Sequence, residues 1–109
     1  MKAIALALRV SMLGLLVVPS AQAQAVAGRE KVTRICAVCH GVNGMGVNPD
    51  VPHIAGESPL YLEKQLKAFR SGERKHEQMS IIAQGLSDED IRDLVSWYSS
   101  LKISVEMPK

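Results

Sequence analysis

Aromatic side chains are scarce in this chain: one Trp, two Tyr and one Phe make up 4% of its 109 residues. So small a domain buries little apolar surface, and domains of this size commonly lean on disulfides, metals or a bound group. A disulfide cannot fill the gap. The only cysteines, Cys36 and Cys39, lie three residues apart, so a bridge between them would close a tiny loop and constrain little of the unfolded chain. Also missing is an uninterrupted apolar run of the roughly twenty residues that span hydrocarbon, because Arg9 breaks the one candidate. Period-two strand patterns, internal repeats and low-complexity tracts are absent too. What is left is a short helical chain that needs something else at its centre.

The opening stretch reads as a removable leader. Lys2 and Arg9 precede or enter the apolar run that ends at Val18, and the following PSAQAQA offers small residues at the spacing a signal peptidase reads. Cleavage after Ala23, with Ala25 or Ala27 as alternatives, makes 1–23 a signal peptide and 24–109 a single exported domain with no membrane anchor. The leader takes two of the 13 basic residues and none of the 11 acidic ones, so the remainder carries no formal net charge. That balance argues against a nucleic-acid partner, which needs a basic excess on one face.

Three helices are expected. Ala25 to Ile35 has Val26, Ala27 and Val32 apolar, and Gly28 is costly inside a helix unless another backbone must come close. A second helix opens with Ser58 as N-cap and Pro59 in the first turn, runs through Leu62, Leu66 and Phe69, and closes at Gly72. For the third, Ser87 and Asp90 form a capping-box pattern, with Ile91, Leu94, Val95, Tyr98 and Leu101 following at helical spacing. Between them, Gly41 to Glu57 and Ser71 to Leu86 read as loops that are long for so small a domain, which marks them as functional.

The chemistry sits at Cys36-Ala37-Val38-Cys39-His40, the C-x-x-C-H pattern of c-type haem attachment. Two thiols three residues apart at a helix end reach the vinyl groups on one porphyrin edge, and the adjacent imidazole turns toward the iron. Three other readings compete. A thioredoxin-like redox pair would need a βαβ context, a structural zinc site would have only His53, His76 or carboxylates to add to Cys36, Cys39 and His40, without a second paired motif, and a plain disulfide would leave the core unfilled. For the sixth iron ligand, Met79 is the methionine in the distal loop. Met45 lies too near His40 to cross to the opposite haem face, Met107 belongs to the tail, and His76 is the rival.

CAVCHGVNGMG, PHIAGESPLYLEKQLKAFRSGERKHEQM and LSDEDIRDLVSWYSSL together make the chain resemble a class I cytochrome c of the small bacterial kind, one half of a two-haem cytochrome c4 in particular. The likeness runs from about Gly28 to Leu101. It implies an all-α fold of three main helices around one haem c, held through Cys36 and Cys39 with His40 and Met79 as iron ligands. It further implies that Gly28 is where the C-terminal helix crosses, with Trp97 or Tyr98 packed into the crossing. Pro52, rather than Pro49, would offer its carbonyl to the His40 ring, and Arg70 and Arg74 would lie near the haem propionates. Glu57 departs from the usual Gln, and a single haem motif excludes a two-haem architecture.

The function this implies is that of a periplasmic carrier of single electrons between a donor and an acceptor protein, not an enzyme. The alternative is a haem c subunit held permanently by a flavoprotein or molybdoenzyme dehydrogenase. A haem enzyme or gas sensor would need an open iron, which a Met79 ligand would close. Charge is unevenly placed: Lys64, Lys67, Arg70, Arg74 and Lys75 crowd the second helix and its exit, and Asp88, Glu89, Asp90 and Asp93 crowd the start of the third. Both groups could be solvated helix faces, or the basic one could steer an acidic partner.

Overall fold

Ser87 closes a reciprocal cap with Asp90. Its hydroxyl accepts the Asp90 N–H at 3.0 Å, and the Asp90 carboxylate accepts the Ser87 N–H at 2.9 Å. The helix that starts there buries Ile91, Leu94, Val95 and Tyr98, the stripe that its 3.6-residue spacing predicts. In the computed structural model, which describes residues 17–109, the helices in chain order are α1 (Ala21–Ile35), α2 (Ala37–His40), α3 (Pro59–Ser71), α4 (Met79–Gln84) and α5 (Asp88–Ser100). No strand occurs among the described residues, so the chain is all-α as expected. Most of the expected leader lies outside the described residues.

Two boundaries differ from the expectation, each for a local reason. Helix α1 begins at Ala21 rather than Ala25, because the Ser20 hydroxyl accepts the Ala23 N–H at 3.2 Å and Ala and Gln are good helix formers. It therefore runs across the expected cleavage positions. The stretch Ser71 to Leu86 is not wholly a loop, since it contains α4; the short α2 likewise continues the first helix past a bend at Cys36. Helix α3 matches its signals, with Ser58 accepting the Tyr61 N–H, Pro59 in the first turn and Gly72 as C-cap.

The core is a cluster of Val32, Leu62, Leu86, Ile91, Leu94, Val95 and Tyr98, against which Cys36, Ala37, Ile54, Leu66 and Trp97 pack. Helix α1 packs most extensively on α5. At the crossing, a Cβ on Gly28 would collide with the Asp93 carbonyl oxygen and sit 3.0 Å from Trp97 Cβ, so only a bare Cα lets the two backbones meet. Trp97 is thus the aromatic in the crossing, and Tyr98 turns to the core. Beside it Lys31 joins α1 to α5 twice, with Nζ 2.8 Å from Asp90 and 2.6 Å from Asp93. The Lys31 bond, followed by the Ser87 bonds, holds the Asp90 carboxyl down at about 2. The Gly28→Val variant is expected to lose about 1–3 kcal/mol of stability through overpacking. Urea unfolding of the holoprotein checks it, and an unchanged midpoint would show that the crossing has room.

Candidate haem-binding site

The C-x-x-C-H segment is a turn of helix. The Cys36 carbonyl accepts the N–H of Cys39 at 3.2 Å and of His40 at 2.9 Å, which puts residues 36, 39 and 40 on one side of that turn and leaves Val38, 82% exposed, on the other. Both thiols are free. Cys36 packs against the core, and burial pushes its thiol up to about 11. Gly41 ends the turn, and the loop that follows folds back on it: the Cys39 carbonyl accepts the Val47 N–H at 2.8 Å, and the Gly44 carbonyl accepts those of Ile54 and Ala55 at 2.8 and 3.2 Å. Gly44 adopts φ 73° and lies so close to Ala55 that a Cβ would fall 2.7 Å from its backbone.

That returning loop delivers Pro52 to the imidazole. His40 Nδ1 lies 3.1 Å from the Pro52 carbonyl oxygen, which can only accept, so Nδ1 carries the proton and Nε2 keeps its lone pair. His53, next to Pro52, is exposed, and its Nδ1 accepts the Gly46 N–H at 2.9 Å, so the ring serves the loop.

Two contacts that the sequence did not suggest brace the same segment from behind. Trp97 Nε1 donates to the Val42 carbonyl at 2.8 Å, and the Tyr98 hydroxyl donates to the Gly41 carbonyl at 3.0 Å. Helix α5 therefore grips the two residues that follow His40. The general rule that a buried Tyr or Trp must find a partner for its polar tip could have predicted that some carbonyl would be bound, but not which. Burial raises the Tyr98 hydroxyl above its ordinary range, so it remains a donor.

Met79, the expected sixth ligand, is half-buried and is the first residue of α4. Met45 is 44% exposed, and Met107 lies 80% exposed in the tail. His76, the rival ligand, uses its Nδ1 to accept the N–H groups of Gln78 and Met79 at 3.2 and 3.3 Å. Arg70 and Arg74 are held by protein partners. Arg70 donates to the Leu86 carbonyl at 3.0 Å and to Asp88 at 2.6 Å, while Arg74 donates to Gln65 at 2.6 Å and lies 4.6 Å above the Phe69 ring. The two opposed charge groups thus meet at Arg70–Asp88, and Lys67 pairs with Glu63 on its own helix.

The donor set suits haem c. Two free thiols one helical turn apart are what two thioether bonds require, and an imidazole with its Nδ1 proton bound to a backbone carbonyl is oriented and made more basic for iron. The competing readings find less support in the geometry. There is no strand context for a redox dithiol, and no group of three or more His, Cys, Asp or Glu side chains converges as a metal site among the described residues. Nor is any helix among them long and apolar enough to cross a membrane.

Comparison with known proteins agrees with the geometry. Residues 25–102 match the family described as Cytochrome c. The chain is 47% identical over 79 residues to cytochrome c-554(548) of Halomonas halodenitrificans, an alignment covering 70% of this chain and 94% of that protein. It is 36% identical over 95 residues to cytochrome c4 of Pseudomonas aeruginosa, covering 87% of this chain but 47% of the relative. Among solved structures, reduced recombinant cytochrome c4 from Pseudomonas stutzeri superposes with a TM-score of 0.66 at 32% identity, covering 74% of this chain and 50% of that one. This chain therefore spans about half the length of the cytochrome c4 proteins it matches. With an all-α fold, free cysteines at the haem-attachment spacing and a match from residue 25 to 102, the chain belongs to the cytochrome c family of electron-transfer proteins, which bind haem c covalently.

Proposed function

We propose that residues 24–109, after removal of the leader, work in the bacterial periplasm as a carrier of single electrons between redox proteins. The observation that carries this reading is the His40 ring, whose Nδ1 proton is bound by Pro52 so that Nε2 is the free donor. Cys36 and Cys39 would hold the group covalently, with His40 Nε2 and the Met79 sulfur as axial ligands. Bound haem c supplies a one-electron Fe(III)/Fe(II) couple. The residues around it do the rest. A His40 imidazole and a Met79 thioether on the bound iron would leave it no open position for oxygen or peroxide, and such a Met/His pair would raise its potential. Trp97 and Tyr98, by donating to the Val42 and Gly41 carbonyls, brace the segment that follows His40. Pro52 and any propionate contact of Arg70 or Arg74 would tune the group rather than react.

The leader's basic start, apolar run and small-residue exit support the periplasmic assignment. Relatives that are bacterial cytochromes c support the carrier role. Spectroelectrochemical titration of the periplasmic fraction of an expressing strain tests both. One covalent haem per chain, a one-electron Nernst wave and no carbon monoxide adduct in the ferrous state are expected. Carbon monoxide binding to the unmodified protein, or retention of the haem protein in the membrane fraction, would reject the reading.

A further inference from the structure

Helix α4 is only six residues long and has no Ser, Thr, Asp or Asn at its head, yet it begins with the residue proposed above as the distal iron ligand. Its start is organised one turn earlier, by His76. The His76 carbonyl accepts the Ser80 N–H at 3.1 Å, as an N-cap carbonyl does, and His76 Nδ1 accepts the N–H groups of Gln78 and Met79, the second and third residues after it. In return, the Ser80 hydroxyl accepts the His76 N–H at 3.0 Å. The pattern is reciprocal, like a capping box, but with an imidazole nitrogen in place of the usual side-chain oxygen. Because backbone N–H groups only donate, Nδ1 holds a lone pair and the ring is the Nε2-protonated tautomer.

The ring is itself anchored. It stands edge-on to Phe69 at 6.4 Å between centroids and 73° between planes; Phe69 is buried at the end of α3, with the Arg74 guanidinium on its ring and Gln65 holding Arg74. A path of packed and bonded groups thus runs from α3 through His76 to the backbone of Met79. We propose that His76 is the positioning residue of the distal arm: by capping the turn into α4 it holds the Met79 backbone where its sulfur can stay on the iron. The proposal rests on the reading of Met79 as a ligand. It gives His76 an indirect role in ligation, through the residue three places on, in place of the direct one that its ring nitrogen could otherwise serve.

The test uses the ferric holoprotein, imidazole as a competing ligand, and amide hydrogen exchange as a readout independent of redox activity. In His76→Ala, exchange of the Gln78 and Met79 amides and the apparent affinity for imidazole should both rise about fivefold, the equilibrium factor that loss of a helix N-cap typically brings. Two further variants separate the acceptor from the ring. His76→Asn keeps a short acceptor and should stay within about twofold of the wild type, whereas His76→Phe keeps the packing on Phe69 and should behave like His76→Ala. If His76→Phe matches the wild type while His76→Asn does not, packing rather than capping sets the arm and the proposal is wrong; unchanged values in His76→Ala also overturn it. Met79→Ala distinguishes failure of the underlying reading. An imidazole affinity equal to that of the wild type would show that Met79 is not the ligand, and would remove the positioning role even if the amide exchange still reports a cap.

Discussion

A chain with alanine at both Cys36 and Cys39 carries no covalent haem. The two thiols are the cysteines of the whole sequence, so no other residue can form a thioether, and haem occupancy after denaturation should fall from one per chain to none. Cys36→Ala or Cys39→Ala alone leaves one possible bond and should give a reduced yield of singly attached protein. The loss extends to the fold. With few aromatics and one small cluster of buried side chains, the domain has little else to close around, and far-ultraviolet circular dichroism of the double variant should show reduced helix. Pyridine haemochrome spectra combined with intact mass measure attachment directly. Haem that survives denaturation in the double variant, or a fully helical haem-free wild type from a maturation-competent host, would dismiss covalent attachment through this motif.

Met79→Ala should open the iron. Among the described residues no other methionine is poised to replace it, because Met45 sits on the loop next to His40 and Met107 in the exposed tail. The ferric protein should lose its thioether-to-iron absorption in the far red, and the ferrous protein should go from no carbon monoxide binding to one equivalent. The reduction potential should drop by on the order of 100 mV, a modest part of the ~0.8 V that axial ligation spans. The backbone cap at His76 does not involve the Met79 side chain, so α4 should persist. A variant with unchanged spectrum and ligand binding would move the distal ligand elsewhere, with His76 as the next candidate.

The parts of the molecule that were legible in the sequence are those specified by neighbours in the chain. Ser87 with Asp90 and Ser58 with Pro59 announce their helices because a cap is a bond across three residues, and the haem motif is readable because attachment needs thiols and imidazole within one turn. Helix α4 escaped notice for the complementary reason: its cap is a histidine ring, which no propensity rule lists as a start, and six residues are too few to display a period. The upstream end of α1 was hidden because PSAQAQA satisfies both a peptidase and a helix. Long-range partners were the least visible. Nothing local to Arg70 points to the Leu86 carbonyl and Asp88, and nothing in the spacing of Lys31 points to Asp90 and Asp93, some sixty residues away. The meeting of His40 with Pro52 came from family resemblance rather than from spacing, since twelve residues of loop can return in many ways.

The pairing of α1 with α5 also fixes the order in which the molecule can be completed. The most extensive helix contact joins the first and last helices, so it is the contact with the largest loop to close. A ribosome releases residues 36–40 long before residues 88–100 exist. Until α5 has emerged and docked, the core cluster against which Cys36 packs lacks Ile91, Leu94, Val95 and Tyr98, and nothing grips the carbonyls of Gly41 and Val42. The attachment segment is therefore less enclosed until α5 docks, and the last turns of the chain close over it. The C-terminal helix acts as a closing clasp, and a chain truncated before Ser87 would keep its thiols accessible without ever acquiring the fold that protects the product.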